Sequence, residues 1–439
     1  MIWFLFILIV LLMYINYKVS HRDIFNPAVV STGMFAIFSL FCCIANLCIG
    51  IDIECEMTFF VILSGLAIFS FINYVFCVSH KQISYNMQRS NISSVYGILG
   101  IITILLLIYV NYCYIMDFSA AYGFGGDFFE AMVQYKLIMT FHDSDDILVA
   151  PPWYRNVLMV TSAAFAYFSV YVFMKKKIIE NEISIIYCFV VFLYIIYSLM
   201  GGGRSETFRV ITALMFIWYI FYREKNSSSF SVKRVLAKIT VLMSIASFLF
   251  IAFIYVVGRS QADMDFEAVI MAMFIYAGAP IFNLDIYLQN PWEQTHGIFG
   301  ELTFIRLINW MGGKFGDSSL IYELDLPFLS YQNYNLGNVY TTFYAFVYDF
   351  GFIGVVVLTG IMAVACVWLY NKVNHVDIMS NKISMYVICY AYLLNDIVML
   401  PFSNRFYESM ANIGTWYRWI VLFVFIKIIN ASMQRKHLE

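Results

Sequence analysis

Apolar residues run along this chain in long blocks, with neither the strict alternation of a half-buried strand nor the 3.6-residue stripe of a surface helix. A membrane-crossing helix needs about 20 mostly apolar residues. Eleven blocks fit that length, at 2–17, 27–50, 57–78, 97–116, 156–174, 183–200, 207–222, 238–257, 351–370, 383–400 and 412–430. The pattern predicts an all-α polytopic membrane protein of about eleven transmembrane helices. The first block, "MIWFLFILIVLLMYINY", has no basic leader and no small-residue cleavage site, so it reads as a retained span.

Two connections are long, residues 117–155 and 258–350, and the second has the length of a small domain. It contains "FEAVIMAMFIYAGAP", whose dozen apolar residues before Pro280 are too few to cross and read as an interfacial or re-entrant helix. The run 337–371 would extend about 52 Å as one helix, against a core of about 30 Å. Its first third, "GNVYTTFYAFVYDF", is therefore expected at the membrane surface, ahead of the ninth span. The chain shows no internal repeat and no low-complexity segment.

Composition agrees: hydrophobic residues are 62% of the 439 positions and charged residues 12%, against about 25% charged in soluble domains. The connections after spans 1, 3, 5, 7 and 9, with the tail, carry seventeen of the 26 Lys and Arg. By the positive-inside rule that side is cytoplasmic, which puts the N-terminus outside and the C-terminus inside. The nine cysteines form no CxxC pair and read as small buried hydrophobes. The 33 tyrosines suit interfacial belts and sugar stacking alike.

Charge in the wrong place is the functional signal. Lys136, Arg155, Arg204, Arg209, Arg259, Arg306, Lys314, Arg405 and Arg418 fall on the outer side or in outer halves of spans. Seven of these nine are arginine, the residue suited to bidentate phosphate or carboxylate contact. Gly-Arg-Ser occurs twice at an outer span end, in "LMGGGRSETFRV" and "VGRSQ". Ser205 is placed to cap the seventh span, with Arg204 at a helix N-terminus that already favours an anion. The structural alternative is a glycine C-cap beside a snorkelling arginine. Arg405 lies in "PFSNRFYES", and Asp396 and Arg418 lie within spans, as substrate contacts or as a mutual ion pair. Asp349 and Tyr348, in "VYDFG", stand at the outer interface, where Asp349 is placed for a general base, a sugar-hydroxyl ligand or a plain interface residue. Arg306 and His296 occupy the large outer loop. "GFGGD" follows no strand, "HDSDD" reads as a solvated acidic loop, and the six histidines make no metal cluster by spacing.

The order "GGGRS", "FIYAGAPIFNLDIYLQ", "GIFGELTF" and "GNVYTTFYAFVYDFGFIG" across residues 199–360 resembles the bacterial oligosaccharide repeat-unit polymerases, the Wzy-type O-antigen polymerases. The resemblance implies a GT-C-like glycosyltransferase of the bacterial inner membrane, with 258–350 as a large periplasmic loop. Its substrates would be glycan repeat units on undecaprenyl diphosphate, joined by block transfer of the growing chain onto a sugar hydroxyl of the incoming unit. It implies membrane lipid, a flippase and a chain-length regulator as partners, and no nucleic acid, nucleotide sugar, cofactor or metal. On this reading Arg204, Arg209, Arg259 and Arg405 hold the diphosphate. Asp349, or after it Glu206, assists the acceptor hydroxyl. Arg306, Arg418, Asp396, His296 and Tyr348 are further substrate contacts. The competing classes are a lipid-linked oligosaccharide flippase or transporter, and an O-antigen ligase. The outer loop, the odd span count and the missing repeat disfavour a transporter.

Overall fold

The computed structural model of the protein describes residues 1–78, 92–141, 149–201, 205–226, 231–240 and 266–435. In chain order its helices begin with α1 (Ile2–Val19), α2 (Pro27–Ile49), α3 (Glu56–Phe76), α4 (Val95–Ala121) and α5 (Phe128–Phe141). There follow α6 (Trp153–Lys175), a π-helical turn Lys176–Glu180, α7 (Ile185–Met200), α8 (Ser205–Lys225) and α9 (Phe266–Gln289). The series closes with α10 (Ile305–Phe315), α11 (Thr342–Asn374), α12 (Met385–Val398), α13 (Arg405–Met410) and α14 (Ile413–Arg435). Strands β1 (Leu329–Tyr331) and β2 (Tyr334–Gly337) pair antiparallel as a small hairpin.

Among the described residues, seven helices are long and apolar enough to cross a membrane: α1 to α4, α6 with its π turn, α11 and α14. Helices α7 and α12 are shorter apolar helices. α1 turns Phe4, Ile7 and Leu11 outward while burying Leu5 and Ile9, so its exposed face is itself apolar, as a lipid-facing helix requires. Ten of the eleven blocks predicted from the sequence coincide with helices, and the eighth lies outside the described residues from position 241 on. The expected 117–155 connection carries a helix of its own, α5.

The chain divides into two compact units. The first comprises Met1–His80, Ser260–Asn374 and Asp396–Ile413. Here α1 packs on α2, α11 runs along α3, and α9 lies against α2. Helix α2 starts cleanly because Asn26 accepts the Ala28 N–H at 3.0 Å and Pro27 occupies the first turn. Buried amides join the first three helices: Asn16 donates to Ser70 at 2.8 Å, Asn26 to Asn73 at 3.0 Å, and Asn73 to Ser20 at 3.2 Å. Such pairs stand in for solvent, since hydrocarbon offers these groups no partner.

Helix α9 differs from its sequence reading. A stop before Pro280 is expected, yet the helix runs through it, 24 residues in all. Proline removes the N–H that would bond the Tyr276 carbonyl. Close packing opposes that loss: a Cβ at Gly278 would sit 3.2 Å from the Cys42 backbone nitrogen, and the Cys42 thiol donates to the Gly278 carbonyl at 3.2 Å. Beyond the proline, Asp285 reaches the N-terminus of α3. It accepts the N–H groups of Glu54 (3.0 Å) and Cys55 (3.1 Å), the Thr58 hydroxyl (2.6 Å) and the Gln289 amide (2.7 Å).

Helix α11 is broken at Gly351, whose φ of 62° and ψ of −158° are open essentially to glycine alone. The run 337–371 is thus not one continuous helix: a short segment ends at the break and a long one follows.

The second unit comprises Lys81–Arg259, His375–Asn395 and Gly414–Glu439. Helices α4, α6 and α7 pack on one another, and α8 packs on α6 and α7. Helix α5 folds back on α4 through Tyr114, Phe118 and Tyr135. At the end of the π turn, Asn181 takes a left-handed conformation, and the Lys225 ammonium bonds its side-chain oxygen at 2.6 Å and also the Ile178 carbonyl. The last turn of that helix thereby gains a cation at its carbonyl end.

Candidate functional site: an arginine-lined cavity

Helical spacing assembles the site in the second unit. On α6, Arg155, Met159 and Tyr167 recur at multiples of four residues and share a side. On α7, Tyr194, Tyr197, Ser198 and Gly201 follow the i, i+3, i+4, i+7 rule. Helix α8 brings Glu206 and Arg209 in its first turn, α4 brings Asn111, α12 brings Tyr392 and α14 brings Arg418. Asn111, Arg155, Met159, Tyr194, Tyr197, Ser198, Gly201, Glu206 and Arg418 line a half-open cavity of about 150 Å³.

Glu206 is the anionic centre. One carboxylate oxygen accepts the hydroxyls of Tyr194 at 2.9 Å and Tyr167 at 3.1 Å, and the other lies 3.4 Å from an Arg209 nitrogen. Arg209 also donates to the Tyr392 hydroxyl at 2.7 Å, and Arg418 donates to the same hydroxyl at 3.0 Å. Arg155 forks onto the Asn111 carbonyl oxygen, at 3.0 and 2.8 Å, with its guanidinium 4.6 Å from the Tyr114 ring centroid. Arg155 and Arg418 therefore line the cavity while bonded to neutral partners, and Glu206 is the one carboxylate among its described lining residues. Two guanidinium groups facing a partly buried space have the charge and the donors to hold an oxyanion.

The remaining predicted residues fall elsewhere. Arg204 and Arg259, the two arginines of the Gly-Arg-Ser corners, lie outside the described residues. In the first unit, Arg405 pairs with Glu408 at 3.1 Å within the six-residue α13. Arg306 is exposed on α10, and Asp396 is fully buried in α12.

Asp349, Tyr348 and His296 come together in the first unit around Glu301, which the sequence reading overlooks. Glu301 accepts the N–H groups of Thr295 (2.8 Å), His296 (2.9 Å) and Ile298 (3.4 Å) and the Tyr348 hydroxyl (2.6 Å). Burial opposes ionisation of Glu301, but these donors outweigh it and hold the carboxyl below its ordinary value. Asp349 accepts the N–H groups of Leu302 (3.2 Å) and Thr303 (2.6 Å), one on each oxygen. The His296 ring lies 4.3 Å from that of Tyr322. The Tyr348 hydroxyl on Glu301 and the Leu302 and Thr303 N–H groups on Asp349 tie the 294–304 loop to α11, so here Asp349 serves as a loop anchor. Among the described residues, no group of three or more His, Cys, Asp or Glu is placed to hold a metal ion.

No protein family, no curated protein and no solved structure matches this chain.

Around the cavity, sequence reasoning misses Tyr167, Tyr194, Tyr392 and Asn111. Arg155 carries a signal, as an arginine on the wrong side of the charge rule. The tyrosines carry none, because 33 of them are scattered through the chain.

Proposed function

We propose that this protein is a membrane glycosyltransferase that polymerises undecaprenyl-diphosphate-linked oligosaccharide repeat units at the periplasmic face of the bacterial inner membrane. The reading takes the chain as GT-C-like, with about eleven spans, the N-terminus outside and the C-terminus inside. The product is an O-antigen or related surface polysaccharide.

The observation that carries it is the pair Arg155 and Arg418 on one cavity, with Glu206 already engaged by Arg209. A diphosphate ester supplies about the two negative charges by which Glu206 falls short of Arg155, Arg209 and Arg418, and a fully apolar substrate would leave that excess uncompensated. Arg204 immediately precedes α8 in sequence, next to Glu206 and Arg209. In the reaction, a sugar hydroxyl of the incoming unit attacks the anomeric carbon of the growing chain. The carbon–oxygen bond to the diphosphate breaks, and undecaprenyl diphosphate leaves with the electron pair. The guanidinium groups stabilise that developing charge, and the hydroxyl proton passes to a carboxylate. Glu206 takes that role, since among the described residues it is the carboxylate that lines the cavity.

The test is a gel of surface polysaccharide from a deletion strain, complemented with the unsubstituted chain or with Arg155→Ala or Arg418→Ala. Core carrying a single repeat unit, with the ladder gone, in the deletion and in both variants at normal membrane levels supports a polymerase. Polymer accumulating on its lipid outside the membrane would identify a ligase instead. Single lipid-linked units trapped inside would identify a flippase.

A further inference from the structure

We infer that helix α10, with Phe299 beside it, lies on the bilayer surface and binds anionic lipid head groups. The inference stands on the first unit alone and does not depend on the polymerase reading.

Depth comes first. After the break at Gly351, α11 runs on to Asn374, 23 residues or about 34 Å of helix, slightly more than the hydrocarbon core. Gly351 thus marks one boundary of the membrane. The chain entering α10 is tied to that boundary at several points. Leu302 and Thr303 bond Asp349, the Thr303 hydroxyl donates to the Ala345 carbonyl at 3.3 Å, and Phe299 and Phe304 pack on the Phe350 ring. Helix α10 begins two residues after Thr303, at the level of the head groups.

Surface chemistry comes second. α10 buries Ile308 and Gly312 against the turn Ser318–Leu320, and Asn309 exchanges hydrogen bonds with the Tyr322 backbone. Trp310 projects from the opposite side and Met311 and Phe315 from the rim of the buried one; all three are exposed, Phe315 at 73%, with Phe299 at 81%. Large apolar side chains left this open in a folded loop require an apolar neighbour. Arg306 and Lys314 flank Trp310 four residues to either side, and from Leu302 to Gly316 there is no acidic residue. Tryptophan and phenylalanine interleaved with bases on a short amphipathic helix match an interface of acyl chains under anionic head groups. Arg306 therefore binds lipid phosphate in this arrangement.

The test uses the full-length protein in nanodiscs of mixed phosphatidylcholine and phosphatidylglycerol. A photo-crosslinking phenylalanine analogue replaces Trp310, Phe315 or, as the reference position, exposed Ser318. Lipid adducts at 310 and 315 at least fivefold above those at 318 support the inference, as does a phosphatidylglycerol share above its bulk fraction. The double variant R306Q/K314Q should return that share to the bulk fraction while lipid adducts at 310 persist. Adducts at 310 and 315 no higher than at 318, or mainly to protein, would overturn surface contact. Head-group shares equal to bulk in the unsubstituted protein would overturn anionic binding.

Discussion

Arg209 lies over the ring of Tyr392, 4.4 Å from its centroid, and also donates to that residue's hydroxyl at 2.7 Å. The aromatic face and the phenolic oxygen hold one guanidinium, while Arg418 uses the same oxygen. Tyr392→Phe keeps the ring and removes the acceptor shared by both arginines. Hydrogen bonds to charged groups are worth about 1.5–3 kcal/mol, so on the proposed polymerase function a fall in polymerisation of roughly tenfold or more is expected at unchanged membrane levels. Chain-length distribution in a complemented deletion strain measures it, and a normal ladder would remove Tyr392 from the site.

Glu206→Gln keeps a side chain of the same shape for Tyr167 and Tyr194 but removes the negative charge beside Arg209. Inorganic pyrophosphate should bind the purified variant at least as tightly as the parent, while polymerisation is lost. Weaker pyrophosphate binding would show that Glu206 serves to shape the cavity rather than to receive a proton.

Gly351→Ala isolates backbone strain, because a Cβ at that position meets nothing within 4 Å. Holding alanine at φ 62° and ψ −158° costs about 1–3 kcal/mol. The melting temperature in detergent should fall by several degrees, and an unchanged value would mean that the helix re-forms straight through the break.

Asp285→Ala strips four donors of one acceptor, two of them backbone N–H groups leading into α3. Loss of a cap and of its buried bonds should destabilise the first unit by about 2 kcal/mol or more. Hydrogen exchange at Glu54 to Thr58 should rise most, and an increase spread evenly over the chain would argue against a local cap.

Glu301 sets a pH dependence. Its carboxyl is held below the ordinary value in the folded loop, so its stabilising contribution is complete above about pH 4.5 and disappears as pH falls through the lower folded value. Protease cleavage within 294–304 should stay constant from pH 7 to about 5 and rise on further acidification. Glu301→Gln should be cleaved faster at neutral pH, with that acid response flattened.

The helices are legible in the sequence because hydrocarbon demands long apolar runs, and runs are visible without tertiary knowledge. Pro280 misleads because a proline ordinarily ends a helix, whereas here contact with Cys42 carries α9 onward. Within the site, Arg209, Arg418 and Glu206 stand out as charges in apolar blocks. Tyr392 and Asn111 do not, because their partners lie 183 and 44 residues away. Asp349 reads as a free carboxylate until the N–H groups that occupy it, 46 and 47 residues distant, are in place.

The Asp285 cap also sets an order of events during synthesis. Its partners in the lead-in to α3 precede it by 227 to 231 residues. At 5–20 residues per second, α3 waits roughly ten to fifty seconds for the carboxylate that completes its first turn. Through that interval the early helices must be held by the Asn16, Asn26 and Asn73 bonds or by the insertion machinery. Substitutions in those amides should therefore lower yield in cells more than they lower the stability of the finished protein.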